Sequence, residues 1–354
     1  MNQDLQSTFI SLVRLGIGHL SGPLPERIDW KSIETLAGQH GLLAVVVDGI
    51  DRLPEFQRPP KTLLLEWIGN TLQSYEQRNT LYEKAIGDLA GFYNQHGYKM
   101  MLIKGYACSL DWPKPEHRPC GDIDIWQFGQ WREADKALTD ELGVKIDGSH
   151  HHHTVFDWKG FTVENHYDFV NVHAHKSSKE VEVVFKELGA DDSHYVEINS
   201  ERVYLPSPNL HALFLIKHMV SHFAAAEISL RQVLDWAFFV EKHTKEVDWE
   251  WLLGLLDKYH MRDFYNCINA ICVGDLGFDV KIFPNVQFDP VLKDKVLADI
   301  LSPEWTATEP RWVFKRMAYK YCRWQGNAWK QRLCYPESRM EMFFTGLWSH
   351  IIKP

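Results

Sequence analysis

Two aspartates separated by one residue, Asp122 and Asp124, supply carboxylates that could bind a metal ion. They lie in the stretch Gly-Asp-Ile-Asp-Ile, whose alternation of polar and apolar residues is typical of a β-strand. Because side chains alternate between the two faces of a strand, both carboxylates point to one side, and Ile123 and Ile125 point to the other. Mg²⁺ prefers oxygen ligands and commonly binds through one or two carboxylates together with substrate phosphates. The pair therefore predicts a magnesium site.

A third acidic residue, Glu164, lies in a later segment that also has strand periodicity. Residues 153–166 contain two alternating runs joined by Lys159-Gly160, a pattern that predicts a β-hairpin. Glu164 and His166 fall on the same face of the second strand. We expect Glu164 to be the third carboxylate at the metal site, and the alternative is a surface position on an edge hairpin. His166 is expected to contact substrate or to orient Glu164.

Cationic residues and glycines flank the aspartates. Lys104-Gly105 ends an apolar run, and a turn at this glycine would let the backbone approach a phosphate closely. Arg118 supplies a positive charge suited to phosphate, and Gly121 directly precedes the first aspartate. We expect Lys104, Gly105, Arg118 and Gly121 to bind a phosphate-bearing substrate.

These motifs resemble the polymerase-beta-like nucleotidyltransferase superfamily, and within it a family of uncharacterised bacterial nucleotidyltransferases. The positions that match the family pattern are Lys104-Gly105, Pro113, Pro115, Arg118, Gly121-Asp122-Ile123-Asp124 and Val163-Glu164-Asn165-His166. The resemblance covers roughly residues 95 to 240. One departure is Tyr106, which follows Gly105 where the wider superfamily usually has a second glycine or a serine.

The resemblance implies an α+β fold, in which a small mixed sheet with helices forms a polymerase-beta-like core flanked by helical regions. It also implies metal-dependent transfer of a nucleoside monophosphate from a nucleoside triphosphate to an acceptor hydroxyl, with release of pyrophosphate. Asp122, Asp124 and Glu164 would then bind two Mg²⁺ ions, as in other two-metal phosphoryl-transfer sites.

Two helices are predicted between residues 209 and 242, after the strand-rich part of the chain. This segment also resembles the helical part that follows the catalytic core in the same family. The resemblance suggests that the helices close over the nucleotide and offer Lys217, His218 or Arg231 to it. The alternative for Arg231 is a structural salt bridge with Asp235, four residues later on the same helix.

The length of 354 residues and 45% apolar content are typical of a soluble chain of about two domains. We expect an N-terminal helical region at 1–95, a catalytic core at 96–205 and a C-terminal helical domain at 206–354. The six cysteines are scattered without a CxxC pair, which favours reduced thiols. Neither a signal peptide nor a membrane span is recognisable, so a cytoplasmic location without membrane contact is expected.

The net charge of −9 argues against a long nucleic acid as the main partner. The expected partners are a nucleoside triphosphate and an unknown acceptor, and a small molecule is favoured over nucleic acid or protein. Two other functions stay open, namely a non-catalytic nucleotide-binding or regulatory protein and a toxin that nucleotidylates RNA or protein.

Aromatic and basic residues alternate between 311 and 332, a pattern found in nucleic-acid binding but also on ordinary amphipathic helices. The run His150–His153 is expected to be solvated or packed, because imidazole suits other metals than magnesium.

Overall fold

The computed structural model describes residues 3–284, 287–306 and 308–342 as a mixed α/β protein with one six-stranded sheet. The strands are β1 (Met101–Leu102), β2 (Ile123–Trp126), β3 (His153–Trp158), β4 (Phe161–His166), β5 (Tyr195–Ile198) and β6 (Glu201–Tyr204). The first eight α-helices are α1 (Gln3–Gly16), α2 (Trp30–His40), α3 (Leu43–Asp51), α4 (Lys61–Thr71), α5 (Gln77–Gln95), α6 (Tyr106–Ser109), α7 (Trp131–Leu142) and α8 (Lys176–Leu188). The others are α9 (Pro208–Ala225), α10 (Leu230–His243), α11 (Trp249–Lys258), α12 (Arg262–Ala270), α13 (Pro290–Leu301), α14 (Val313–Gly326) and α15 (Ala328–Cys334).

The sheet is mixed, and its strand order is β3-β4-β2-β1-β6-β5. Strands β2 and β4 are parallel, as are β1 and β6, whereas the other neighbouring pairs are antiparallel. The parallel pairing of β2 with β4 places Asp124 directly opposite Glu164. The mixed sheet with many helices is consistent with the predicted α+β class, and it brings two of the predicted carboxylates to neighbouring strands.

The predicted β-hairpin is confirmed as β3 and β4. Its two-residue turn has positive φ angles at both positions, 51° at Lys159 and 86° at Gly160. Such a turn matches the right-handed twist of the strands that it joins, and glycine adopts it without strain. The register pairs His153 with His166 at the open end of the hairpin.

Two further segments lead into the site. A long helical segment before the sheet consists of α4, a π-helical turn at Leu72–Glu76 and α5. The apolar run that ends at Lys104-Gly105 forms β1, which is only two residues long, although backbone hydrogen bonds of Met100 and Ile103 continue it at both ends. Helix α8 and the hairpin of β5 and β6 were not predicted.

The two faces of the sheet pack against different helices. Ile123 and Ile125 share a hydrophobic cluster with residues of α5 and α7. Trp126 belongs to a larger cluster that also contains residues of α1, α9, α10 and α12. The aspartates of the β2 segment therefore face the side of α9, opposite the isoleucines. This larger cluster combines residues from the N-terminal and C-terminal helices. The predicted division at residues 95 and 205 into three regions therefore stays a prediction.

Several aromatic side chains in helix α14 and directly before it are exposed. Trp312 is 76% exposed, Phe314 88% and Tyr321 59%. These three aromatic residues of the aromatic and basic stretch therefore lie outside the hydrophobic core of the described residues. Among the described residues, no helix has the length and apolar character needed to cross a membrane.

Candidate active site

The centre of the site is formed by Asp124 and Glu164, which the register of β2 and β4 holds side by side. Asp124 is almost completely buried, whereas the Glu164 side chain is 22% exposed. The Lys104 Nζ atom lies 2.8 Å from Asp124 Oδ1 and 4.0 Å from Glu164 Oε2. His166 Nε2 lies 3.3 Å from Asp124 Oδ1 and 3.5 Å from Glu164 Oε2. Two cationic or potentially cationic groups therefore face the two carboxylates.

This arrangement shifts the pKa values of Glu164, Lys104 and His166. Burial acts to raise the pKa of Glu164, but the hydrogen bond from His166 and the charge of Lys104 hold it well below its usual value. Burial likewise opposes the charged forms of Lys104 and His166, yet the neighbouring carboxylates raise the pKa of both. The ionised carboxylates and their cationic neighbours thus stabilise one another in a partly closed environment.

One ligand atom from each of Asp124, Glu164 and His166 lies within 4.8 Å of the other two. Carboxylate oxygens suit a hard divalent cation such as Mg²⁺, so Asp124 and Glu164 fit the predicted ion, whereas the imidazole of His166 is a ligand typical of other metals. His166 Nδ1 lies 3.3 Å from the backbone oxygen of Asp168, a contact that orients its other nitrogen toward the carboxylates.

Asp122 lies just before β2 and is exposed at the rim of the site. Burial of part of its side chain, together with the negative charges of Asp124 and Glu164, raises the pKa of its carboxyl. Its backbone oxygen accepts a hydrogen bond from Tyr82 Oη at 2.7 Å. Asp122, the first member of the predicted aspartate pair, therefore adds negative charge at the solvent side.

Gly105 begins α6 in a conformation that favours glycine, with φ 63° and ψ −105°. A Cβ atom at this position would lie 2.9 Å from Tyr82 Oη and 3.3 Å from the backbone oxygen of Asp122. The glycine that was predicted to allow a close backbone approach thus makes room for the contact between Tyr82 and Asp122.

A cavity of about 150 Å³ lies next to the carboxylates, between the sheet and helices α9 and α10. The predicted site residues that line it are Lys104, Gly105, Arg118, Gly121, Asp122, Asp124 and Arg231. Its apolar wall is formed by Phe214, Leu215 and Met219, and Gln232 adds a polar side chain. His218, one of the three candidates on the predicted helices, also lines it.

Arg118 is buried and binds Asp235 of α10 through two hydrogen bonds, from Nε to Oδ1 at 2.7 Å and from Nη2 to Oδ2 at 2.9 Å. The salt bridge expected between Arg231 and Asp235 is therefore replaced by one between Arg118 and Asp235. The two arginines line the same cavity. The burial of Arg231 and the positive charge of Arg118 both lower the pKa of Arg231.

Lys217 lies outside this group, although it was predicted to bind substrate. Its side chain is buried, and its Nζ lies 4.6 Å from the centre of the Tyr335 ring. Burial lowers its pKa to about 8, although the negative charge of Glu337 acts in the opposite direction. Residues 214, 215, 218 and 219 of α9 line the cavity, whereas residue 217 faces the C-terminal segment.

Histidines that were expected to be solvated or packed lie close to the carboxylates. His153 Nε2 is 3.8 Å from Glu164 Oε1, and the rings of His152 and His153 approach that of His166. Burial is the main reason that the pKa of His152 falls to about 2 and that of His153 to about 4, so both rings are neutral at pH 7. The sequence signal was the histidine run itself, which precedes a strand next to Glu164.

A comparison with protein families gives one match. The family described as "Uncharacterised nucleotidyltransferase" matches residues 26–273, which include the whole sheet and the cavity. The chain belongs to this family. No curated protein matches the sequence, and no solved structure matches the fold. The family match begins well before the segment on which the sequence resemblance rested, so helices α2 to α5 are part of the family's common region.

Proposed function

We propose that the chain is a metal-dependent nucleotidyltransferase of the polymerase-beta-like type. It would transfer a nucleoside monophosphate from a nucleoside triphosphate to the hydroxyl group of an acceptor. The acceptor oxygen forms a bond to the α-phosphorus, the bond between this phosphorus and the bridging oxygen breaks, and pyrophosphate leaves. The hydroxyl gives its proton to solvent water in the same step.

The observation that carries this proposal is the register of β2 and β4, which aligns Asp124 with Glu164 beside a cavity. Membership in a nucleotidyltransferase family supports the same type of reaction. The acidic pair is on two neighbouring strands, and rigid elements hold functional groups more precisely than loops do. Asp122 completes the acidic set from the segment that enters β2.

Asp122, Asp124 and Glu164 would hold the divalent ions, for which Mg²⁺ is the proposed species and two ions are the proposed number. When bound, such ions stabilise charge on the attacking and leaving oxygens of an in-line displacement. The Asp-x-Asp pair and the third carboxylate thus supply the ligands, and the cavity supplies the space for the nucleotide.

The cationic residues of the cavity would bind the triphosphate. Lys104 lies at the carboxylates and can turn from Asp124 toward a phosphate oxygen. Arg231 has a buried Nε that lacks a hydrogen-bond partner among the described residues, so its guanidinium has capacity for a ligand. Arg118 already uses two of its nitrogens to bind Asp235, and we therefore assign it mainly to holding the position of α10. Catalysis of phosphoryl transfer rests largely on positioning and on stabilisation of charge.

The apolar wall of the cavity would contact the base or the sugar. Phe214, Leu215 and Met219 come from one face of α9 and lie opposite the charged residues. This division gives the cavity one end suited to phosphates and another suited to an apolar surface. The net charge of −9 disfavours contact with the many phosphates of a long nucleic acid. Together with the small size of the cavity, this charge supports a small molecule as the acceptor.

The experiment that tests the proposal uses the four α-labelled nucleoside triphosphates, Mg²⁺, and cell extract separated into small molecules and macromolecules. Label transfer to a component of one fraction, with equal release of pyrophosphate, is expected. The double variant Asp122→Asn/Asp124→Asn should reduce transfer by at least about a hundredfold. Asp157→Asn, an exposed aspartate on β3, is the matched control and should leave the rate unchanged.

Three outcomes separate the possible functions. Transfer to the small-molecule fraction supports the proposed acceptor class, and transfer to RNA or protein supports a nucleotidylating toxin. Calorimetric binding of a nucleotide without pyrophosphate release would indicate a non-catalytic nucleotide-binding protein. Equal transfer by the wild type and the double variant would refute the proposed site.

A further inference from the structure

Three histidine side chains meet at the open end of the β3–β4 hairpin. His152 and His153 come from the start of β3, and His166 comes from the end of β4, where it pairs with His153. One ring nitrogen from each histidine lies within 4.8 Å of the other two. The ring centroids are 4.4 Å apart for His152 and His153 and 5.1 Å apart for His153 and His166. We call this group the histidine cluster.

Two nitrogens of the histidine cluster have no hydrogen-bond partner. The Nδ1 atoms of His152 and His153 are buried, and within the described part of the chain neither of them is paired. His153 as a whole is only 7% exposed. Leaving a buried polar atom unpaired costs about 1–3 kcal/mol, and nearly all buried polar atoms in proteins are paired. These two nitrogens therefore indicate a ligand that accepts their lone pairs.

The third histidine is held in an orientation that suits metal binding. His166 Nδ1 lies 3.3 Å from the backbone oxygen of Asp168, to which it can donate a proton. Histidines that bind metals commonly donate their second ring nitrogen to a carbonyl in this way, which fixes the tautomer and leaves the other nitrogen free to bind the ion. The other nitrogen, His166 Nε2, lies 3.3 Å from Asp124 Oδ1 and 3.5 Å from Glu164 Oε2, and an ion bound to it would replace the proton that it shares with these carboxylates.

We propose that His152, His153 and His166 bind one transition-metal ion, with Zn²⁺ as the class of ion that fits best. Imidazole suits zinc, copper, iron and nickel, whereas magnesium prefers oxygen. Three protein ligands with a fourth open position are typical of zinc sites that bind a water or a substrate. Nitrogens bonded at about 2.0–2.1 Å to one tetrahedral zinc ion are about 3.4 Å apart, so nitrogens that lie within 4.8 Å of one another have to approach by up to about 1.4 Å when the ion binds.

This site adjoins the carboxylates and shares His166 with them, but it does not depend on nucleotide transfer. The acidic groups that face the cluster are Asp124, whose Oδ1 lies 3.3 Å from His166 Nε2, and Glu164, whose Oε1 lies 3.8 Å from His153 Nε2. Lys104 contacts the same two carboxylates, and its Nζ is 4.0 Å from Glu164 Oε2. The nitrogen ligands of the histidine cluster and the oxygen ligands of the acidic site can therefore select different ions from one mixture. A carboxylate site would take the hard ion, and the histidine cluster would take the softer one.

The test uses the full chain, freed of any histidine tag and dialysed against a chelator. Co²⁺ is the spectroscopic probe, because nitrogen-bound Co²⁺ of low coordination number absorbs visible light more strongly than the hydrated ion. One equivalent of Co²⁺ should produce this absorption, and one equivalent of Zn²⁺ should abolish it. His152→Ala and His153→Ala should each weaken Zn²⁺ binding, measured by calorimetry, at least about tenfold.

The matched control is His194→Ala, which removes an exposed histidine at a distant position before β5. It should bind Zn²⁺ and Co²⁺ like the wild type. Thermal unfolding without metal reports whether each variant is folded. If a variant fails to fold, X-ray absorption of the zinc-loaded wild type decides, since fewer than two imidazole ligands would overturn the proposal. Unchanged Zn²⁺ affinity in the folded His152→Ala and His153→Ala variants would also overturn it.

The variant Asp122→Asn separates this inference from the proposed function. Asp122 is part of the acidic set but not of the histidine cluster. It should lose nucleotide transfer while its Co²⁺ absorption stays that of the wild type. A wild type that transfers nucleotides but gives no Co²⁺ signal would refute the zinc site alone.

Discussion

Arg118 and Asp235 form a buried salt bridge with two hydrogen bonds, of 2.7 Å and 2.9 Å. It joins the loop before β2 to helix α10, and both residues line the cavity. Trp112 Nε1 donates a further hydrogen bond to Asp235 Oδ1 at 2.8 Å. Burial acts against the charge of Arg118, yet the charge of Asp235 raises the pKa of Arg118 above its usual value, so the pair stays ionised. The bridge fixes the distance between the acidic strand and the helices.

Asp235→Ala should strongly destabilise the protein. The substitution leaves the buried guanidinium of Arg118 without its counter-charge, and breaking a buried pair in this way costs about 3–5 kcal/mol. Urea denaturation of the wild type and the variant at pH 7 measures the difference in the free energy of unfolding.

The matched control for that loss is Asp140→Ala, which breaks an exposed salt bridge with Lys136 on α7. Exposed pairs contribute about 0–1 kcal/mol, because solvent screens both charges. Equal destabilisation by the two substitutions would show that the buried bridge has no special weight.

The placement of Asp124 and Glu164 on strands of one sheet was predictable because its signals are local. Alternation fixed the faces of Asp122 and Asp124, and the turn at Lys159-Gly160 fixed the register that places Glu164 on β4. Each of these signals depends on residues a few positions apart, and strand geometry converts them directly into side-chain direction. Once the hairpin is formed, the parallel pairing of β4 with β2 is enough to bring Glu164 next to Asp124.

The partners of the other charged residues were not predictable in the same way. Asp235 had a nearby candidate in Arg231, but it binds Arg118, which is distant in the sequence and is brought close only by the packing of α10. Lys217 was placed correctly on a helix, yet which of its neighbours face the cavity depends on how α9 is rotated against the sheet. The histidine cluster was missed because histidine runs carry no periodic signal.

Lys104→Met should strengthen the binding of divalent ions at the carboxylates and weaken nucleotide transfer. Lys104 Nζ contacts Asp124 at 2.8 Å, so its removal takes away a cation that competes with a metal ion for the same oxygen. An affinity for Mn²⁺ at least about tenfold higher is expected, which corresponds to about 1.4 kcal/mol. Titration of Mn²⁺ followed by electron paramagnetic resonance measures it.

Lys104→Arg is the control for this change, because it keeps the positive charge near Asp124. It should bind Mn²⁺ with an affinity close to that of the wild type. If the methionine and arginine variants bind Mn²⁺ equally, the charge of Lys104 does not compete with the ion. If the methionine variant transfers nucleotides at the wild-type rate, Lys104 is not a phosphate ligand.

The stability of the protein should fall on mild acidification, and His40 should account for part of the fall. Burial lowers the pKa of His40 to about 4 from 6.5, and its Nδ1 accepts a hydrogen bond from the backbone N–H of Leu230 at the start of α10. As the pH falls below 6.5 the unfolded chain binds a proton that the folded chain does not bind until about pH 4. The contribution is thus complete above pH 6.5 and is lost as the pH falls toward 4.

His40→Asn keeps a hydrogen-bond acceptor at this place but removes the titration. The free energy of unfolding, measured by urea denaturation between pH 7 and pH 4.5, should decline less steeply in this variant, by up to about 3 kcal/mol over the range. His194→Asn, at an exposed position, is the control and should follow the wild type. Parallel curves for His40→Asn and the wild type would contradict the assignment.

Gly105→Ala should damage both stability and transfer, because this glycine has φ 63° and ψ −105°. A Cβ atom would meet Tyr82 Oη at 2.9 Å, and this hydroxyl donates the hydrogen bond that holds the backbone at Asp122. We expect a loss of about 1–3 kcal/mol in the free energy of unfolding. Transfer should fall further than stability alone explains, since Asp122 must move with Tyr82.

Gly148→Ala, where no atom lies within 4 Å of the added Cβ, should change stability by no more than about 0.5 kcal/mol. Urea denaturation and the labelled-nucleotide assay, applied to both variants, decide the matter, and equal behaviour of the two would mean that the turn at Gly105 does not position Asp122.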